Sequence, residues 1–291
     1  MPALILLALV GFAAQLVDGA LGMAYGVTST TLLLAIGTNP AAASATVHFA
    51  EIGTSLMSGL AHWRFGNVDW RVVSRLALPG FIGAFVGAVA LSSLSAEAAE
   101  PIVAGILFVL GVYILVRFAR GGRKAAQPRP GRVKAAFLAP LGLFAGAMDA
   151  IGGGGWGPIG TPTLLASGRM EPRKVIGSID TAEFLVALGA SAGFLVALGS
   201  EQINYGWVGA LVVGGLLAAP IAAWLVRALP ANVLGLSVGT LIIITNSKTL
   251  LEAAGMSEDV TSVLFVVFGV AWLALLGVLL LKPRDQAVLQ S

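Results

Sequence analysis

The chain has no cysteine, two histidines and only 11% charged residues. Without cysteine there is no disulfide, no thiolate metal site and no thiol redox chemistry. His48 and His62 are too few for most transition-metal sites built from protein ligands alone, so no metal is expected. A soluble domain carries about 25% charged residues, and a chain with less than half of that cannot cover a water-facing surface with polar groups. Walker A, HExxH, GxSxG and CxxC patterns are also missing. ATP drive within the chain and the common catalytic constellations therefore lack support, no cofactor is expected, and an enzyme is not the reading. The net charge of +3 comes from basic loops and not from a nucleic-acid face, so no nucleic-acid partner is expected.

What the chain has is apolar sequence, 57% of its residues, with 38 glycines and a mean hydropathy of +0.93. Several stretches approach the ~20 apolar residues that span hydrocarbon, which makes the lipid bilayer the expected surroundings. So many glycines suit close helix packing in lipid. Apolar segments fall at 3–17, 20–36, 43–61, 72–94 and 101–118, then at 135–149, 155–167, 175–199, 206–228 and 232–250, with one more at 260–281. Met1–Val17 lacks the basic start of a signal peptide and is read as a retained membrane segment.

The chain also contains itself twice. Residues 11–37 align with 142–168 in one frame, with identities that include Gly11/Gly142, Asp18/Asp149, Gly22/Gly153, Gly26/Gly157 and Thr30/Thr161. After one inserted residue the match resumes with Pro40/Pro172, Ala50/Ala182 and Glu51/Glu183, and it sets His48 opposite Asp180. A repeated Asp and Glu inside apolar sequence are not expected from composition. Internal duplication in a very apolar chain is how many secondary transporters are built.

Loop charges give the orientation. Arg117–Lys134 holds seven basic residues and no acid, which makes 119–134 a cytoplasmic linker. The loop His62–Arg71 is then internal, and its counterpart Ser200–Gly206 external. An odd number of crossings per repeat inverts the second half. The expected fold is an all-α polytopic membrane protein: a first repeat at 1–118, the linker, a second and inverted repeat at 135–250, and an extra C-terminal helix and tail at 251–291. The N-terminus is expected outside and the C-terminus in the cytoplasm. The first two segments of each repeat are short and joined by a Gly-rich break. They fit two crossings or a re-entrant hairpin.

Chemistry is concentrated at these breaks. Gly22, Tyr25, Gly26, Thr28 and Thr30 mark the first, and Gly152, Gly153, Gly154, Gly155, Trp156, Gly157 and Thr161 the second. Four consecutive glycines each destabilise a helix by roughly 1 kcal/mol relative to alanine. Half-helices starting after such breaks would aim amide N–H groups at the membrane centre, a means of binding an anion. The alternative is that the glycines only let helices approach closely. Asp18, Glu51, Asp149, Asp180, Glu183 and His48 are ionisable groups inside apolar segments, where each is costly. Glu51, Glu183 and His48 are expected to couple transport to protons, to gate it, or to bond the scaffold. Asp18 and Asp149 fit a cap on a broken helix equally well. Lys248, in the polar run 245–249, either faces an anion or snorkels to the headgroups.

These residues resemble the sulfite exporter TauE/SafE family, also called the toluene sulfonate uptake permease family. The resemblance covers about residues 5–250. It rests on the Gly-rich break followed by Pro158 and Pro162, on HFAEIGTSLMSGLAHWRFGNVDW at 48–70, and on LPGFIGAFVGA at 78–88 with its degenerate partner AAPIAAWL at 218–225. It implies a bacterial inner-membrane carrier of a small sulfur-containing anion such as sulfite, sulfoacetate or a related organosulfonate. The first break departs from the family's run of glycines, which makes the two half-sites unequal, and the segment 260–281 lies beyond the family's usual end. An anion channel is the alternative, an intramembrane enzyme a more distant one, and both monomer and homodimer are open.

Overall fold

The computed structural model describes residues 2–21, 23–120, 133–200, 203–228 and 231–281. Gly22 and most of the basic linker lie outside the described residues. The described residues form helices and no strands. In chain order the helices are α1 (Pro2–Leu21), α2 (Tyr25–Ala35), α3 (Pro40–Arg64), α4 (Trp70–Ser92), α5 (Ala96–Ala119), α6 (Ala135–Gly152), α7 (Trp156–Ala166), α8 (Pro172–Leu198), α9 (Tyr205–Ala228), α10 (Ala231–Ala253) and α11 (Glu258–Leu281). The boundaries follow local chemistry. Asn39 caps α3 by accepting from the Ala41 amide at 2.9 Å, with Pro40 in the first helical position where its missing N–H costs nothing. Asp69 caps α4 in the same way through the Arg71 amide at 3.0 Å.

Among the described residues, Trp70–Ser92, Ala96–Ala119, Ala135–Gly152 and Arg173–Leu198 are long and apolar enough to cross a membrane. The all-helical membrane fold expected from composition is the one found. At 11 residues each, α2 and α7 reach only about 16 Å, roughly half the hydrocarbon thickness. Neither crosses by itself, so each break starts a half-length helix.

Helix packing is reciprocal between the halves. α4 lies against α6 and α8, while α9, its counterpart, lies against α1 and α3; α3 packs on α8 and α5 on α10. The duplicated glycines Gly11 and Gly142 explain how backbones meet so closely. A Cβ at Gly11 would stand 2.4 Å from the Leu211 carbonyl oxygen, and one at Gly142 would stand 2.4 Å from that of Leu76. Each is a helix crossing that only a residue without a side chain allows, the small-residue packing typical of lipid. At these two positions close approach is what the glycines provide. α11 is added to α10, where the Trp272 indole N–H donates to the Ser237 carbonyl at 3.0 Å.

Candidate functional site at the paired breaks

α1 stops at Leu21 and α2 begins at Tyr25; α6 stops at Gly152 and α7 begins at Trp156. Both aspartates sit inside the preceding helix and reach across the gap. Asp149 Oδ1 accepts from the amides of Gly155 at 2.7 Å and Trp156 at 2.9 Å, and Asp18 Oδ1 accepts from the Tyr25 amide at 3.2 Å. These bonds are those of a helix cap, one of the two expectations for these acids. The consequence bears on anion binding by α7. Two amides at its start are committed to Asp149, and Pro158 supplies none. Backbone amides at α7 are thus a smaller resource than the run of glycines led one to expect.

The two breaks touch. Thr30 donates from Oγ1 to the Gly153 carbonyl at 2.5 Å, tying the first half to the second. A Cβ at Gly154 would stand 2.1 Å from the Val27 amide nitrogen, and one at Gly26 would stand 2.8 Å from both the Gly154 Cα and Glu51 Oε1. Ala24 has φ 111° and is the one non-glycine residue with positive φ among those described. Such a backbone costs an L-residue about 1–3 kcal/mol. Ala24→Gly is expected to raise the thermal midpoint in detergent by relieving it; a lowered midpoint would mean that the alanine methyl contributes more packing than the strain costs.

Above the breaks lies a line of ionisable side chains. His48 on α3 approaches Asp149 Oδ2 with Nε2 at 3.1 Å and Glu51 Oε2 at 3.9 Å. Its other nitrogen, Nδ1, meets the Ser44 carbonyl at 2.8 Å, and Ser44 Oγ donates to the Ala150 carbonyl at 2.6 Å. The duplication aligns His48 with Asp180, but in space they take different partners. Asp180 Oδ2 receives Ser58 Oγ at 3.0 Å and stands 3.2 Å from His62 Nε2. Glu183, half-buried on α8, has Glu51, Asp180, Asp18 and Asp149 within electrostatic range. Among the side chains whose burial is described, no lysine or arginine is buried. Lys248 pairs with Glu252 at 2.8 Å, with both about one-third exposed.

Several buried polar atoms have no hydrogen-bond partner of normal geometry among the described residues: Tyr25 OH, Thr28 Oγ1, Ser29 Oγ, Thr161 Oγ1 and Glu51 Oε2, with Ser191 Oγ elsewhere on α8. Tyr25 OH and Ser29 Oγ are close enough to act on each other. Tyr25, Thr28 and Ser29 belong to the first half-helix and Thr161 to the second. Trp156 differs from its counterpart Tyr25, because its single donor already bonds the Ile179 carbonyl at 3.0 Å and its ring fills the core. Ser29, Ser44, Ser58 and His62 were not among the residues singled out from sequence. Ser29 has no repeated partner, since Gly160 occupies its place, and the others gain meaning only from helices brought together by packing. A groove of about 860 Å³ between α5, α6 and α7 includes Tyr113, Lys134, Pro158 and Arg169, and is lined by none of the unpartnered groups or membrane carboxylates.

The family described as sulfite exporter TauE/SafE matches residues 7–249. The chain belongs to this family. It is 45% identical over 291 residues to the probable membrane transporter protein YtnM of Bacillus subtilis (strain 168), covering 100% of this chain and 97% of that one. It is 25% identical over 218 residues to the probable membrane transporter protein YdhB of the same organism, covering 74% of this chain and 86% of that one. No solved structure matches the chain. With its apolar helices, this TauE/SafE protein is a multi-pass membrane transporter. The TauE/SafE match ends before α11, whereas the alignment with YtnM runs through it.

Proposed function

We propose that the chain is a secondary transporter that moves a small sulfur-containing anion, namely sulfite, sulfoacetate or a related organosulfonate, across the bacterial inner membrane by alternating access with proton coupling. The observation that carries this reading is the contact between the two breaks beside buried hydroxyls that lack partners. Tyr25, Thr28, Ser29 and Thr161 can each donate to an oxyanion, and leaving such donors unpaired costs about 1–3 kcal/mol apiece. The family description, which names sulfite, supports the substrate class. The reciprocal helix packing supports rocking of one half against the other. The basic residues of the linker support an N-terminus outside, with both the linker and C-terminus cytoplasmic.

Coupling falls to Glu183. An anion entering a centre of several carboxylates is repelled unless one of them takes up a proton, and Glu183 has four others in range. Asp18 and Asp149 hold the breaks, Asp180 is tied to His62 and Ser58, and His48 with Glu51 gates the contact between halves.

The test is flux of sulfite and sulfoacetate into proteoliposomes, with and without a pH gradient. Saturable, gradient-dependent flux of either anion is expected; flux that never saturates would instead indicate a channel. Glu183→Gln should lower gradient-driven flux about tenfold, equivalent to roughly 1.4 kcal/mol, at unchanged yield of folded protein. A parallel loss of flux and folded protein would make Glu183 part of the scaffold.

A further inference from the structure

Two histidines are too few for most transition-metal sites, yet the geometry at His48 brings three ligand types together. Nε2 of His48, a carboxylate oxygen of Glu51 and one of Asp149 lie within 4.8 Å of one another, and all three side chains are buried. We propose that His48, Glu51 and Asp149 form a binding site for one divalent transition-metal ion of the Zn²⁺ type, closing α3 of the first half onto α6 of the second.

The first support is the state of Glu51. Its side chain is 4% exposed, and Oε2 is buried without a hydrogen-bond partner while standing 3.9 Å from His48 Nε2. A carboxylate oxygen so placed needs a cation beside it or a proton of its own. A single proton between His48 and Asp149 satisfies the 3.1 Å contact and leaves Glu51 Oε2 as it is. One divalent ion satisfies all three groups.

The second support is how the ligands are held. Nδ1 of His48 points at the Ser44 carbonyl, which directs the Nε2 lone pair toward the two carboxylates. Asp149 Oδ1 is fixed by two backbone amides, so Oδ2 alone is presented. Outer bonds of this kind, from imidazole to a carbonyl and from carboxylate to neighbouring donors, orient the ligands in metal centres.

The third support is size and donor type. Ligands about 2.1 Å from a tetrahedral ion stand about 3.4 Å apart. The observed separations of 3.1 Å and 3.9 Å lie on either side of that value. Imidazole with two carboxylates suits Zn²⁺, Co²⁺ or Ni²⁺, whereas Ca²⁺ and Mg²⁺ call for six or more oxygen ligands, water included. The duplicated position lacks the site, because Asp180 stands where the first half has His48. Three protein ligands also leave a coordination position for a small anion, and this clause alone rests on the carrier reading.

The test uses the full chain in detergent, with any affinity tag removed and bound metal stripped by chelator. Equilibrium dialysis against Zn²⁺ should give one ion per chain. Glu51→Gln and His48→Gln should each weaken binding about 100-fold or more. Glu51→Gln is the cleaner variant, since Oε2 has no hydrogen bond to lose. Co²⁺ should give visible ligand-field bands in the parent protein and not in either variant. Absence of stoichiometric Zn²⁺ in the parent, or binding by either folded variant as tight as the parent's, overturns the site. Zn²⁺ binding without anion flux removes the carrier reading and leaves the site standing; anion flux without Zn²⁺ binding does the reverse.

Discussion

Gly154→Ala is expected to yield little folded protein. Its φ of 152° belongs to the region that L side chains rarely adopt, at a cost of about 1–3 kcal/mol. The added methyl would also stand 2.1 Å from the Val27 nitrogen and 2.4 Å from the Gly26 carbonyl carbon. These are backbone atoms of α2 that cannot turn aside as a side chain would. Overpacking of this kind costs about 1–3 kcal/mol more, and the contact it breaks is the one between the two breaks. The measurement is the monodisperse fraction in detergent for Gly154→Ala beside Gly168→Ala. Gly168 also has positive φ, but its missing Cβ faces open space. Gly168, at φ 62°, lies in the left-handed helical region that L-residues can enter, so Gly168→Ala sets a lower bound on what backbone strain alone does. A selective collapse of Gly154→Ala shows that the two breaks must touch for the chain to fold, and equal yields would remove that requirement.

Asp149→Ala should lower stability far more than Asp18→Ala, although the two acids are duplicates. Removing Asp149 frees the amides of Gly155 and Trp156 and leaves buried His48 without its partner. Loss of a cap costs about 1 kcal/mol, and breaking a buried ionic pair about 3–5 kcal/mol. Asp18 holds one amide at 3.2 Å, so about 1 kcal/mol is at stake there. Asp149→Asn retains an oxygen for the cap and should fall between the two. Thermal midpoints of the three variants in one detergent provide the comparison. Equal shifts for the two alanine variants would mean that the His48 contact contributes nothing to stability.

Much of this was legible in the chain because helices in lipid must satisfy their own backbone groups, which makes apolar runs and glycine breaks dependable markers. The run at 155–167 became α7 and that at 206–228 became α9 almost residue for residue. The duplication anticipated that Asp18 and Asp149 do the same work, and both cap the next helix. It could not reveal the partner of His48. That residue meets Asp149 because α3 crosses α6, a contact between halves that internal alignment does not encode. The proposed metal site was hidden for a related reason: a count of histidines says nothing about a carboxylate that arrives from the other half, as Asp149 does beside His48 and Glu51. Trp156 and Tyr25 look interchangeable as aligned aromatics, yet one indole is fixed in the core while the neighbouring half keeps an unpaired phenol. Ser29 was invisible because repetition was the guide and Ser29 is not repeated.

The divergence of His48 and Asp180 has a thermodynamic meaning. In the inverted arrangement that the loop charges favour, two identical halves would make the inward-facing and outward-facing forms equivalent by a two-fold rotation in the membrane plane and equal in free energy. A histidine in one half and an aspartate in the other breaks that degeneracy. If the halves exchange roles as proposed, the His48–Asp149 contact and the Asp180–His62 contact do not exchange with them. The empty protein would then have a preferred side to wait on, independent of any gradient, and this diverged pair is one of those that would set it.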